Sequence, residues 1–332
     1  MKQIRQLSKK GILPMLAIAI LYPLVMGAFH QSYLILLGSY AMLYIIVVSG
    51  IDVLFGYSGQ ITMGHAGFYA IGAYGTAIIH NYLNLPPMLS IFAACLIAAA
   101  VSVVIALPAS KLVFHFLSLA TIAFGEIIYQ LICHSPGNIT GNFVGIFTDG
   151  FSLFGLPIST PTAMYFFGLF WVAVFLLAKQ RIVNSKFGRA FIAIRENPHS
   201  ANGMGINVRK YKVLAFVISA VFTSFAGAFY SHLVGYVSPD TFVRKQSVMF
   251  VTMLLFGGSA SVGGTITGVI FVLILTELLR ALQDYQMVIY GVLMLVAIVA
   301  LPGGLYGGIR QLLDQLRSRA DQRKEARVHA ER

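Results

Sequence analysis

Apolar positions in this chain are gathered into long runs, separated by short polar or glycine-rich stretches. Ten runs stand out, at roughly 11–29, 33–55, 61–80, 88–109, 112–134, 162–178, 213–235, 247–261, 265–283 and 285–303. None shows the alternation of a half-buried strand. Their lengths suit a bilayer, whose ~30 Å of hydrocarbon takes about 20 helical residues at 1.5 Å each. Backbone polar groups in lipid must be satisfied within the segment, so the runs are expected to be helices. The pattern predicts an all-α, polytopic transmembrane bundle. The third and eighth segments are rich in glycine and are expected to be broken or half-length, giving about 8–10 spans.

Composition agrees. Hydrophobic residues make up 58% of the 332 and charged residues 10%, against about 25% charged in soluble domains. The net charge of +12 invites a nucleic-acid reading, which its distribution excludes. Lys2, Arg5, Lys9 and Lys10 precede the first run, and Lys111 lies in a short turn. Eight basic residues fall between Lys179 and Lys212, and seven more run from Arg310 onward. If ten helices alternate, all of these lie on one face, with only Arg244, Lys245 and Arg280 at or near the other. That asymmetry orients both ends toward the cytoplasm. The layout is then a cytoplasmic N-terminus (1–10), a membrane domain (11–309) and a basic cytoplasmic tail (310–332). Some of the basic residues can also meet anionic lipid heads. The first run is too long for a signal peptide and has no clear small-x-small cleavage site, so it is read as an uncleaved span. Cys95 and Cys133 lie inside predicted helices and offer neither a disulfide framework nor metal spacing.

Two connections are informative. The stretch 135–161 carries Asp149 as its only formal charge and is rich in Gly, Asn and Pro. Loops this long are usually functional or disordered. Its Phe and Ile content argues for a compact cap or docking surface outside the membrane, although a passive connector fits the residues equally well. The cytoplasmic stretch 179–212 predicts two short helices. Asn184 or Ser185 can cap the first, which runs through Arg195 with Phe187, Phe191 and Ile194 on one face. Asn197 and Pro198 then read as N-cap and first helical residue of the second, with Gly203 or Gly205 ending it. Such an element can rest on lipid, but the break at Asn197-Pro198 makes a blunt tip, which favours docking to a cytoplasmic partner.

Two glycine-rich stretches lie within the membrane segments. One runs from Phe55 through Gly67, the other from Phe256 through Gly268; both open Phe-Gly-x-Ser, and in both a glycine recurs eleven residues after the first. Paired Gly-interrupted segments in two halves of a transporter point to a substrate path near the midplane. Ser58, Gln60, Thr62, His65, Ser259, Ser261 and Thr265 are candidate polar groups beside it. Helix packing through small residues explains any single Ser or Gly as well, whereas Gln60 and His65 are harder to explain that way. Glu126, Glu277 and Asp52 are the acids in or at the ends of spans; Glu126 lies deepest along its helix and joins the path candidates. No chain of charges crosses the membrane to serve as a proton relay. Gly258-x-x-x-x-Gly263-Gly264-Thr265 outlines a phosphate-binding loop but lacks its lysine. The chain is therefore expected to hydrolyse no nucleotide, bind no cofactor or metal, and be no enzyme.

Four motifs together resemble the LivM-type permease of branched-chain amino acid ABC importers. They are GYSGQITMGHAGFYAIGAY (Gly56–Tyr74), TIAFGEII (Thr121–Ile128), GRAFIAIRENPHSANGMGINV (Gly188–Val208) and GGSASVGGTITG (Gly257–Gly268). The resemblance covers about residues 35–305 and is more specific to the permease superfamily than to the substrate. It implies a bacterial inner-membrane importer in which this chain pairs with a LivH-like second permease. It also implies two cytoplasmic ATPase subunits that use ATP, and a periplasmic substrate-binding protein. The 179–212 loop would be the ATPase coupling element, matching at Arg195, Glu196, Asn197, Ala201, Gly205, Ile206 and Asn207, with Arg189 and Pro198 beside them. Family members usually carry an acidic residue after the Arg-x-Asn and Ala-Ala soon after it. Pro198 and Ser200 stand here instead, which puts a salt bridge from this position in doubt but not the docking. Permeases for urea, short amides or other small polar solutes look similar. A secondary transporter or channel is the alternative from another class, and would leave the 179–212 loop unexplained.

Overall fold

The computed structural model describes residues 31–111, 114–153, 156–158 and 160–280, with short pieces within 19–27, 285–295 and 304–308. The first and tenth predicted segments fall largely outside the described residues. The other eight are helical: α1 (Ser32–Asp52), α2 (His65–Leu83), α3 (Pro87–Ala109), α4 (Phe114–Cys133), α5 (Pro161–Asn184), α8 (Val208–Val234), α9 (Arg244–Gly257) and α10 (Val262–Leu278). Between α5 and α8 lie the short helices α6 (Lys186–Glu196) and α7 (Pro198–Gly203). Five stretches, 32–57, 87–109, 116–133, 161–184 and 208–234, are long and apolar enough to cross a membrane. The protein is an all-α polytopic membrane bundle.

Both glycine-rich stretches interrupt their helices. α1 runs into one π-helical turn, Val53–Tyr57; residues 59–64 then carry no regular structure, so α2 starts only at His65. In the second stretch α9 has just 14 residues and ends at Gly257, and Gly258–Ser261 turns the chain into α10. Short capping signals account for most other boundaries. Thr160 accepts from Ala163 N at the start of α5 and Asn207 from Lys210 N at the start of α8, while Pro87 and Pro161 occupy first-turn positions, where a missing N–H costs nothing.

α8 is the central helix, packed against α1, α2 and α3. In lipid this packing cannot be driven by exclusion of water between helices, so close backbone approach matters. It is closest where α2 crosses α8: a Cβ at Gly72 would run into the Ser224 carbonyl, and one at Gly227 into the Tyr69 carbonyl. Neither obstacle is a flexible side-chain end. Gly227→Val is therefore expected to cost at least the roughly 1–3 kcal/mol of an overpacked core, read as a lowered midpoint of thermal unfolding in detergent. An unchanged midpoint would mean that the crossing is looser than described.

The 135–161 stretch folds onto the helix ends opposite α6 and α7. Its strand β1 (Ile146–Phe147) pairs antiparallel with β4 (Tyr236–Val237), which directly follows α8, and β2 (Ser152–Leu153) pairs with β3 (Leu156–Pro157). Phe151 is buried against the rings of Phe167 and His232, with centroids 4.8 and 5.4 Å away. Phe151 thus anchors this stretch to the helix ends, while Phe143 and Phe147 stay exposed.

Candidate functional site

The α6–α7 element is built by local chemistry. Ser185 Oγ accepts from Phe187 N at 3.1 Å and starts α6. Asn197 Oδ1 accepts from both His199 N and Ser200 N at 3.0 Å and starts α7, with Pro198 at its first position. α7 closes with Gly205 at φ +83°, Ile206 N donating to Ala201 O at 3.1 Å; the left-handed backbone favours glycine there. α6 buries Gly188, Ala190, Phe191 and Ile194. Phe187, expected on the buried face, is 48% exposed. Helical side chains lean toward the N-terminus, so a residue in the first turn overhangs the contact. Ala201 is the buried residue of α7. Arg189, Glu196, Asn197, Pro198 and Gly205 are exposed, forming a tip that stands free of the bundle.

Arg195 ties that tip to the first helix break: its Nη1 donates to the carbonyl of Gly56, inside the π-turn. The π-turn is in turn fastened to the second break. Tyr57 Oη donates to Ala260 O at 2.8 Å, and Ala260 N donates to Asp52 Oδ1 at 2.6 Å. Ala260 itself sits at φ +60°, a left-handed conformation uncommon for alanine and held here by bonds to both of its peptide groups. The other carboxylate oxygen of Asp52 lies 2.8 Å from Lys179 Nζ, both side chains being 0% exposed. Lys179 also donates to Thr265 Oγ1 of α10 at 2.8 Å, and that hydroxyl donates to Ser261 O at 2.9 Å. One polar joint therefore links the ends of α1 and α5, the π-turn, the α9–α10 turn and Arg195.

Lys179 is the functional candidate that sequence reasoning missed. Hydropathy ends the sixth segment at 178 and assigns the lysine to a polar loop, but α5 continues to Asn184 and turns it inward. Asp52, noted only as a span-end acid, is the fully buried one. Glu126, deepest along its helix, is exposed on the surface of α4 and accepts from Gln130 Nε2 at 3.1 Å.

Ser58, Gln60, Thr62 and His65 come together inside the chain. Gln60 Nε2 donates to Ser58 Oγ at 2.7 Å and to Lys212 O at 3.2 Å. The His65 ring lies 2.9 Å from Thr62 Oγ1 and 2.7 Å from Ser219 Oγ of α8, so both its nitrogens are bonded. The unwound backbone is satisfied from α4: Met63 N donates to Thr121 Oγ1 at 3.1 Å, and Ile61 O accepts from Ser118 Oγ at 3.1 Å. Non-helical backbone survives at membrane depth only with such partners. In the second stretch Ser261 caps α10 through Gly264 N at 2.8 Å, and Ser259 is half-buried in the turn. The joint and the His65 cluster flank the unwound segment from two sides. On a third side a small cleft of ≈ 10 Å³ lies between Met63 and Ala66, the face of α4 with Ile122 and Glu126, and Phe242 and Arg244 at the start of α9.

The family model described as the permease component of branched-chain amino acid transport systems matches residues 33–298. The "high-affinity branched-chain amino acid transport system permease protein LivM" of Escherichia coli is 32% identical over 288 residues, covering 80% of this chain and 68% of that one. Its namesake in Salmonella typhimurium is 29% identical over 321 residues, covering 90% and 74%. A "probable branched-chain amino acid transport permease protein LivM" of Methanocaldococcus jannaschii is 26% identical over 316 residues, covering 79% and 90%. No solved structure matches the chain.

Proposed function

The chain belongs to the family of branched-chain amino acid transport permeases, and from that membership we propose that it is a membrane-embedded permease subunit of an ATP-driven importer of branched-chain amino acids. A LivH-like second permease completes the path, two ATPase subunits dock on the α6–α7 tip, and a periplasmic binding protein docks on the 135–161 cap. The tip and both termini then face the cytoplasm of a bacterial inner membrane. ATP is used by the partner subunits.

The observation that carries this reading is the bonded line from the exposed tip into the membrane. Arg195 holds Gly56 in the first break, and Tyr57 and Asp52 hold Ala260 in the second. A connector between spans has no use for such a line. An ATPase that pulls on the tip would move both breaks at once, and the breaks border the unwound segment and the cleft. Arg189, Arg195, Glu196, Asn197, Pro198, Ala201 and Gly205 form the coupling element, with Ala201 seating it and the others presenting the tip. Glu126 lines the path. Ser58, Gln60, Thr62 and His65, with Ser259 and Ser261, hold the broken backbone that forms its wall.

Purification of the tagged chain from its native membrane should bring down a second permease and ATPase subunits in stable association. Reconstituted with the binding protein, that assembly should take up leucine only when ATP is supplied. Uptake by the chain alone in ATP-free liposomes would overturn the proposal.

A further inference from the structure

Glu126 lies seven residues before the end of α4 at Cys133, about 10 Å along a helix rising 1.5 Å per residue. It is exposed, as are Phe116, Leu119, Ala123 and Gln130. These five recur every three or four residues and so form one outward face along α4. Gln130 Nε2 donates to Glu126 Oε1 at 3.1 Å, which leaves the charge uncancelled and Oε2 without a donor among the described residues. A carboxylate at that depth is strongly disfavoured against acyl chains. The outward faces of α3, α5 and α10 differ. Before their last turns the exposed side chains are apolar, Leu96 and Val104, Phe170 and Val174, and Ile270 and Ile274 among them. Those faces suit lipid as they stand. Beyond the end of α4 the mismatch is reversed. The ring of His134 meets that of Phe143 with centroids 5.2 Å apart, and Phe143 and Val144 are 63% and 74% exposed. One continuous face is therefore charged where lipid would meet it and apolar where water would.

From these observations we infer that the outward face of α4, continued by Phe143 and Val144, is the seam on which the second permease subunit packs, and that this partner sets a cation or hydrogen-bond donor against Glu126. Neither lipid nor water suits both ends of the face, whereas a membrane protein with its own extracytoplasmic cap covers both. Hydrogen bonds between helices add to van der Waals packing in lipid, and the Glu126–Gln130 pair offers acceptors for them. A second copy of this chain fits less well. Packed about a two-fold axis along the membrane normal, it would bring two Glu126 carboxylates to the same depth in one interface, and like charges there repel. The seam calls for a related but different chain. The inference deepens the importer reading given above and rests on it.

The test is photo-crosslinking in the complete assembly within its native membrane. p-Benzoylphenylalanine is placed in turn at Leu119, Ile127 and Leu131 of α4, at Phe143 of the cap, and at Leu96 and Val104 of α3, all exposed positions. After irradiation, adducts are identified by mass spectrometry. The α4 and cap positions should capture the second permease, and the α3 positions lipid. Lipid adducts alone from α4, or capture of the second permease from α3 as readily as from α4, would overturn the seam and leave the importer reading standing. Capture of a second copy of this chain from α4 would overturn the choice of partner. If no second permease accompanies the chain at all, the seam and the importer reading fall together. Glu126→Leu supplies a second readout. It should lower the amount of second permease retained on the tagged chain by roughly tenfold or more, as expected when one side of a buried charged contact is removed, while the yield of the chain itself from membranes holds. Retention equal to wild type would overturn the contact assigned to Glu126.

Discussion

Replacing Lys179 with methionine should destabilise the folded protein by about 3–5 kcal/mol, the range for stranding one member of a buried ion pair. Methionine approximates the length of the lysine stem, so little of the loss would come from a cavity. What remains is an Asp52 carboxylate that is 0% exposed and deprived of its cation, with the Ala260 N–H as its one remaining hydrogen-bond donor among the described residues. Asp52→Asn alone should be damaging for the mirror reason, since it leaves a buried ammonium held by the Thr265 hydroxyl. The two changes together remove both charges and keep the volumes close to the originals. The double variant should therefore be considerably more stable than the sum of the single losses requires, because residues in contact couple. Thermal unfolding in detergent, with yield from membranes as a second measure, completes the cycle. Additive losses would show that the two side chains do not act as a pair. A stable double variant that hydrolyses ATP but imports poorly would separate the joint's contribution to coupling from its contribution to folding.

The helices were legible in the sequence because a bilayer demands apolar length, and length is a local property. The caps at Ser185, Asn197 and Gly205 were legible for the same reason, since each acts within three or four residues of itself. The joint was not legible in this way. Asp52 and Lys179 each stand at the edge of an apolar run, where hydropathy places a charge in the headgroups or the loop, and only packing of α1 against α5 brings them together. Glu126 illustrates the converse. Depth along a helix can be counted from the sequence, so its position was read correctly, but the face it occupies depends on which neighbours α4 meets. The polar residues of the first glycine-rich stretch stood out in the sequence by their types alone. Their bonds to Ser219 and Lys212 on α8 depend on a crossing between distant segments. The pairing of β1 with β4 was invisible too, for strands of two residues carry no periodicity.

The larger functional effect is expected at Arg195. Arg195→Ala should lower the stimulation of ATP hydrolysis by loaded binding protein by roughly tenfold, the factor that 1.4 kcal/mol represents and near the low end for a hydrogen bond from a charged donor. The reason is geometric. α6 and α7 hold their own shape through Ser185 and Asn197, so the tip should persist and still meet an ATPase subunit. What the variant lacks is the bond to Gly56, which connects the tip to the π-turn and through Tyr57 and Asp52 to the α9–α10 turn. Movement of the tip would then no longer be passed to either helix break. Asn197→Ala provides the contrast, because it removes a cap worth about 1 kcal/mol, loosens α7 and should weaken retention of the ATPase subunits instead. Arg195→Lys keeps a charge and one donor but not the planar fork, so it should fall between wild type and alanine. Stimulated and unstimulated hydrolysis are measured on the same reconstituted assemblies, with insertion and subunit retention checked for each. Stimulation that survives Arg195→Ala unchanged would mean that the signal reaches the membrane by another contact, with the Gly56 bond serving only to seat α6.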